Sequence, residues 1–452
     1  MCRRRTEYEY VMLDSGAAPP EVATGGSSAP AGACARSVLA TIVPNSAIQF
    51  LDFEMSEETV AHTRRRFLEE AGEGGEPSLH VAAVGDGVFY HPITNAPCDP
   101  ARTYTISGIE ALAPYLDRWL PMPFMRVARI GEGELTALEE GPSNWVRAHV
   151  SRDVADNGMA LYRVVVAIDT AIDAVGVRPG RADVAPTLED LRCGSAFRFS
   201  EEVNDIAWFV SEAWVDDWVK AAFEAGRARD EQGQRVHAQG STGLDHLAHY
   251  LTALAALKEA CDIPAVRFLE PNAVGAYAET VPVDLALDLG TSRTLAVLAE
   301  HVAADQGGSS RVRRVVRALP LRDLTVPYRV ETAAFSSRAV FSRPVFGDEA
   351  LSRWSGRTQA FHWPSPVRLG GEAQRLAAAQ AGADAHTGVS SPLHYVWDDK
   401  PARHVWRFAG ATADGGRLNP IVSGTFLGHL TEAGDLVEGR SGQGGATKPR
   451  FS

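Results

Sequence analysis

An aspartate, Asp288, ends an apolar run, and two residues later the chain reads Gly290-Thr291-Ser292-Arg293-Thr294 before turning apolar again. That pattern suits a divalent cation and the oxygens of a polyphosphate. Gly290 has no side chain, so backbone can approach a phosphate closely with its N–H groups turned inward. Thr291, Ser292 and Thr294 offer hydroxyl donors beside those amides. Hydrated magnesium keeps most of its waters and takes one or two carboxylates, a role open to Asp288. Phosphoryl transfer depends mainly on position and charge, which such a turn can supply. The flanks Leu285–Leu287 and Leu295–Leu298 predict a buried hairpin over Val283–Leu298. A structural hairpin with a polar tip and no ligand accounts for this short pattern equally well.

Other constellations are weaker. Asp245-His246-x-x-His249 invites a metal reading because i and i+3 share a helix face, but no third ligand is evident and zinc-protease spacing is absent. A helix-surface pair is the simpler reading. Asp398-Asp399 reads as an acidic turn. There is no Gly-x-Ser-x-Gly elbow and no Walker A sequence. Trp208, Trp214 and Trp218 lie in AWFVSEAWVDDWV, with Trp214 and Trp218 four apart on one helix face. They read as a core or interface stripe.

The elements that would carry these residues fall into blocks. Residues 1–36, rich in Gly, Ala, Pro and Ser, lack hydrophobic periodicity and read as disordered. Residues 37–280 read as a mixed α/β domain. It opens with strands around Pro44-Asn45-Ser46 and a helix from Ser56 that carries Arg64–Arg66 near its end. GVFYHPI, MRVARI and YRVVVAI follow as strands, and Gly108–Leu120, Asn204–Arg229 and Leu244–Cys261 as helices. Residues 281–438 hold the hairpin, a strand at RVRRVVR, short strands around Ser336-Ser337, a helix from Asp348 and an Ala-rich helix after Gly370. Residues 439–452 are a polar, Gly-rich tail.

Composition excludes several classes. The chain of 452 residues has a net charge of −13, and its acidity lies in residues 1–280, which hold 24 basic against 41 acidic residues. Such a face does not neutralise phosphate backbone, so nucleic acid is not expected as a partner. The longest apolar runs fall far short of the roughly 20 residues that span a bilayer. The basic start MCRRR lacks an apolar stretch after it and does not read as a secretory signal. Five scattered cysteines suit neither a disulfide framework nor a zinc site. These features predict a cytoplasmic protein.

VDLALDLGTSRTLAVL resembles the first phosphate-binding hairpin of the actin-like ATPase superfamily, which includes actin, sugar kinases and the DnaK-type chaperones. The order continues as Val326-Pro327, Val330–Phe335, Val340–Phe346 and Gly347-Asp348-Glu349-Ala350. The resemblance implies that Asp288 orients magnesium through water, and that Gly290, Thr291, Ser292, Arg293 and Thr294 hold the β- and γ-phosphates of ATP. Leu393 stands where the chaperones place a lysine, with His394 beside it, which puts hydrolysis in question. No second acid–glycine hairpin follows Thr294. Val266–Glu279 also resembles the segment that precedes the second hairpin of the chaperones, which leaves open which of the two hairpins this one is.

The wider arrangement resembles the bacterial virulence factor SrfB family, through Ile42–Phe53, Arg267–Tyr277, Leu285–Thr294, Ser390–Pro401 and Asn419–Val437. Family members run to about twice this length around an actin-like core, so the resemblance implies a chain cut short near Lys448–Ser452. The expected fold is therefore a partial actin-like (ribonuclease H-like) half behind a mixed α/β domain. The expected function is ATP and magnesium binding that regulates a protein partner, with weak or no turnover in this chain. A scaffold acting through the tryptophan-bearing surface of residues 204–222 is the alternative, and a small-molecule kinase is a third.

Overall fold

The computed structural model describes residues 3–4 and 39–409, apart from 72–76, 86–87, 130–135, 156–157, 175–182, 230–242, 270–282, 307–308, 348–353, 380–386 and 394–405. The expectations for residues 1–36, the helix from Asp348, His394, Asp398-Asp399 and the stretch from 410 onward lie outside the described residues. The chain divides into two units. Described residues up to Leu269 form the first, together with 346–362. The second comprises 279–345 and 363 onward.

Alternating apolar residues give the first unit two five-stranded sheets. One is antiparallel, in the order Arg3–Arg4, Ile48–Ser56, Ala160–Asp169, Val146–Val154, Trp119–Pro121. The other runs Thr136–Glu139, Phe124–Arg129, Ala196–Phe199, Ala265–Phe268, Leu39–Ile42, and its last pair is parallel. The segments Ile42–Phe53 and Val266–Phe268, far apart in sequence, thus meet in one unit. A three-stranded sheet, Pro77–Val81, Arg64–Ala71, Thr103–Ser107, and a two-stranded one, Ala83–Gly85 with Val88–Tyr90, lie in the same unit.

The core of this unit collects Phe53, Phe124, Trp145, Phe197, Phe199 and the helix Asp245–Ala260. That helix is apolar almost all round and is correspondingly buried on nearly every side. Trp214 and Trp218 lie in the same core. The tryptophan stripe is therefore core, and the scaffold reading loses the surface it was to use.

Several helix boundaries differ from expectation. The helix after Ser56 spans only Glu57–His62, and Arg64–Arg66 open a strand. Gly108–Leu120 is a short helix, Gly108–Leu112, then a 3-10 turn at Ala113–Tyr115, with Trp119 already in a strand. Pro114 removes a helical donor, and Asp117 takes a left-handed φ of 58° that ends any helix. Asn204–Arg229 is two helices, Val203–Val210 and Ala213–Arg229.

Residues 346–362 pack within the first unit. Phe346 packs on Trp119, with ring centroids 5.2 Å apart. Arg357 Nη2 lies 3.0 Å from Asp169 Oδ2, which also accepts the Phe361 amide at 2.7 Å. Arg147 donates to the Phe346 carbonyl and stacks over the Phe361 ring.

In the second unit, Val283–Leu289, Arg293–Gln306 and Ser309–Ala318 form an antiparallel sheet, with Phe335–Ser336 pairing to Arg293–Thr294. RVRRVVR is a strand, as its spacing predicts. The helix Gly370–Ala379 packs Ala373 with Val340 and Ala409. The whole is mixed α/β with several separate sheets.

Candidate functional site

The hairpin forms where predicted. Leu289 pairs with Thr294, and Gly290 N donates to Arg293 O at 3.0 Å, closing a tight turn over Thr291-Ser292. Gly290 is required sterically, since a Cβ there would meet Arg293 O at 2.4 Å. Thr291, Ser292 and Arg293 are exposed at the tip, and Asp288 is exposed two residues before it.

Ser337, a residue the sequence pattern did not single out, braces this tip. Its N–H donates to Ser292 O at 3.0 Å and its hydroxyl to Gly290 O at 2.8 Å. The hydroxyl proton of Ser337 is thereby committed, so Thr294 Oγ1, 2.8 Å from Ser337 Oγ, is the donor in that contact. Thr294 is buried. Of the three hydroxyls expected at the turn, those of Thr291 and Ser292 stand at exposed positions, while that of Thr294 braces the tip from behind. The signal for Ser337 was the turn Ser336-Ser337 itself, but only the long-range strand pairing shows which turn it touches.

The electrostatics distinguish two acids on one face of the leading strand. His301 Nε2 lies 2.8 Å from Asp284 Oδ2 and holds that carboxyl below the usual carboxylate range. Among the described residues no basic side chain pairs with Asp288. The carboxylate nearest the turn is the one left to solvent. The expected burial of the hairpin does not occur along this strand, because every residue from Val283 to Leu289 is exposed.

Three other clusters bring chemistry-bearing residues together. Glu70, His80 and His91 place ligand atoms within 4.8 Å of one another. His91 Nδ1, however, accepts the amides of Ile93 and Thr94, both at 3.1 Å. The neutral ring therefore carries its proton on Nε2 and donates it to Glu70 Oε2 at 3.2 Å. A metal on Nε2 would need the proton on Nδ1, where two N–H groups already point, so this is a structural hydrogen-bonded cluster.

Asp117, His149 and Ser151 look like a hydrolytic triad but are connected the wrong way. Ser151 donates its proton to Asp117 at 2.8 Å, leaving His149 Nδ1 at 3.3 Å on the other side of the hydroxyl. The imidazole does not take the serine proton and is not oriented by the acid, as a Ser–His–Asp triad requires. The helical pair His246 and His249 is not on the surface. His246 is buried against Asp216 at 2.8 Å, and His249 packs on Phe223. Both join helices together, which the local spacing could not show.

Fold and site thus define a mixed α/β protein that presents an exposed acid–glycine–hydroxyl turn on a braced hairpin. Its sequence matches the family described as virulence factor SrfB over residues 36–452. The chain belongs to that family. No curated protein and no solved structure matches it. Among the described residues, no helix is long and apolar enough to cross a membrane.

Proposed function

We propose that the turn Gly290–Thr294 binds the phosphates of a magnesium–nucleoside triphosphate, with ATP as the expected ligand, and that Asp288 holds the metal through water. The exposed, unpaired Asp288 beside a turn that only glycine can close carries this reading. Thr291, Ser292 and Arg293 supply donors at the tip, and Thr294 and Ser337 keep those donors in place before ligand arrives. Bound magnesium would neutralise charge on the phosphate oxygens. The actin-like resemblance of the hairpin and its following strands supports the same ligand.

Leu393 stands where the chaperones of the resembling superfamily place a lysine, so binding without useful turnover is the expected behaviour of this chain. On this reading nucleotide binding would regulate a protein partner, and the family's description as a virulence factor supports an association with virulence. Titration of magnesium–ATP by calorimetry tests the reading. Saturable heat is expected from the native chain and its loss from Asp288→Ala at unchanged circular dichroism. Heat that persists in Asp288→Ala, or none in the native chain at millimolar ligand, refutes it.

The kinase reading rests on the superfamily resemblance alone. A protein-binding role has a different support, the exposed strand Val283–Leu289.

A further inference from the structure

The leading strand of the hairpin has the sequence of an interior strand and the environment of an edge. Val283, Leu285, Leu287 and Leu289 occupy alternate positions and are 49, 59, 59 and 43% exposed. Natural sheets blunt their edges with charge, proline or bulges and seldom leave a row of leucines beside unpaired N–H groups. Among the described residues this strand pairs only with Arg293–Gln306. Opposite Leu289 and Leu287 in that neighbouring strand stand Thr294 and Ala296, both buried. The leucines thus carry a covered face outward to a bare rim. Gly290 N bonds Arg293 O, and antiparallel pairs alternate. The amides of Asp284, Ala286 and Asp288 therefore face the neighbouring strand, and those of Leu285, Leu287 and Leu289 face outward.

The order of residues fits this edge to a copy of itself. A twofold interface sets one patch against its own image, so the patch must be self-complementary. Antiparallel pairing centred on Leu287 places Leu287 against Leu287, and Leu285 against Leu289, of the second copy. The apolar row meets an apolar row, and each outward leucine both donates and accepts a backbone bond. On the other face Asp288 falls opposite Ala286, and Asp284 opposite Gly290. No acid faces an acid.

Charge also selects this register. Centring on Ala286 would set Asp284 against Asp288, and like charges directly opposite destabilise. Centring on Leu285 would carry Leu289 beyond the end of the strand, which starts at Val283.

We propose that two copies of this chain pair antiparallel along Val283–Leu289 about Leu287, joining their sheets into one. Asp288 falls across from alanine in that pairing, and Ser292 and Arg293 lie beyond the paired strands. The inference therefore stands apart from nucleotide binding.

Sedimentation equilibrium of the full chain tests this. The native chain should show a dimer mass across the micromolar range. Leu287→Lys and Leu287→Glu should each be monomeric, because the twofold sets each charge against its own image. An equimolar mixture of the two should regain the dimer, since lysine then faces glutamate. Leu287 is exposed, so neither change disturbs a core, and circular dichroism checks the fold. A native chain that stays monomeric overturns the proposal. So does a dimer that survives in either variant alone, or a mixture that remains monomeric. Residue-resolved hydrogen exchange of the native chain gives a reading free of substitutions. Protection of the Leu285, Leu287 and Leu289 amides should rise at least tenfold from dilute to concentrated chain, while that of Ala286 and Asp288 stays constant. Protection independent of concentration also overturns the proposal, because the edge would then be covered from within its own chain.

Discussion

Ser337 shows how one side chain can govern a site it does not form. Its amide and hydroxyl fix two carbonyls of the turn, and its oxygen receives the buried Thr294 hydroxyl. In Ser337→Ala the Gly290 carbonyl loses that donor and Thr294 is left buried without its acceptor. Unsatisfied buried groups cost about 1–3 kcal/mol each. The expected outcome is a tenfold or greater loss of magnesium–ATP affinity in calorimetry, though Ser337 is not placed to touch the ligand. Gly290→Ala should act more severely, since the clash is with backbone.

His149 supplies a residue-scale prediction of another kind. Burial pushes its imidazole down from 6.5 to about 4, against the opposing pull of Asp117. Between those values the unfolded chain binds the proton more readily than the folded one. Stability therefore falls as pH drops below about 6.5 and levels off near 4, by up to about 3 kcal/mol at most. Urea midpoints taken from pH 7 to pH 4.5 should show this slope, and His149→Gln should flatten it. His80 and His249, also lowered by burial, contribute in the same direction and leave a residual slope.

At the scale of elements, the returning segment 346–362 is held by a buried pair. Asp169 receives both Arg357 and the Phe361 amide. Removing the acid alone leaves a guanidinium in the interior without its counter-charge, a change that typically costs about 3–5 kcal/mol. Asp169→Ala should lower the denaturation midpoint accordingly. It should also open a protease site within residues 346–362, detected by peptide mapping. Asp169→Ala/Arg357→Met should recover part of the loss, because no charge is then stranded.

Elements also mark what the residues alone could tell. The hairpin was legible because alternation, a glycine that admits no Cβ and the flanking apolar residues all act within sixteen positions. RVRRVVR was legible for the same reason. The helix Gly108–Leu120 was misread because its amphipathic spacing outweighed Pro114 and the left-handed Asp117 in a short window. The exposure of Val283–Leu289 contradicts its composition, which is that of a buried strand. The brace from Ser337 and the clasp on Asp169 could not be read at all. Each joins residues far apart in the chain, and no local period encodes which partner a serine or an arginine will meet.

At the scale of the molecule, the first unit has one continuous core reaching from Ile42 to Phe268. Among its described residues the second has small clusters, such as Phe341 with Trp406 and Phe408. A larger apolar core resists local opening more strongly. Amide exchange should accordingly be slowest in the helix Asp245–Ala260 and the strand Ala160–Asp169, and faster by orders of magnitude across Phe335–Phe341. Comparable protection in the two would show that the small clusters are reinforced by residues beyond those described.

Segment 346–362 has one more bearing, on the order of events during synthesis. Everything else described in the first unit has left the ribosome once residue 278 is out, yet Trp119 and Asp169 must wait for Phe346, Arg357 and Phe361. At ordinary elongation rates that wait is roughly ten seconds. For that interval a nascent chain carries an acid and an aromatic shelf still lacking their complement.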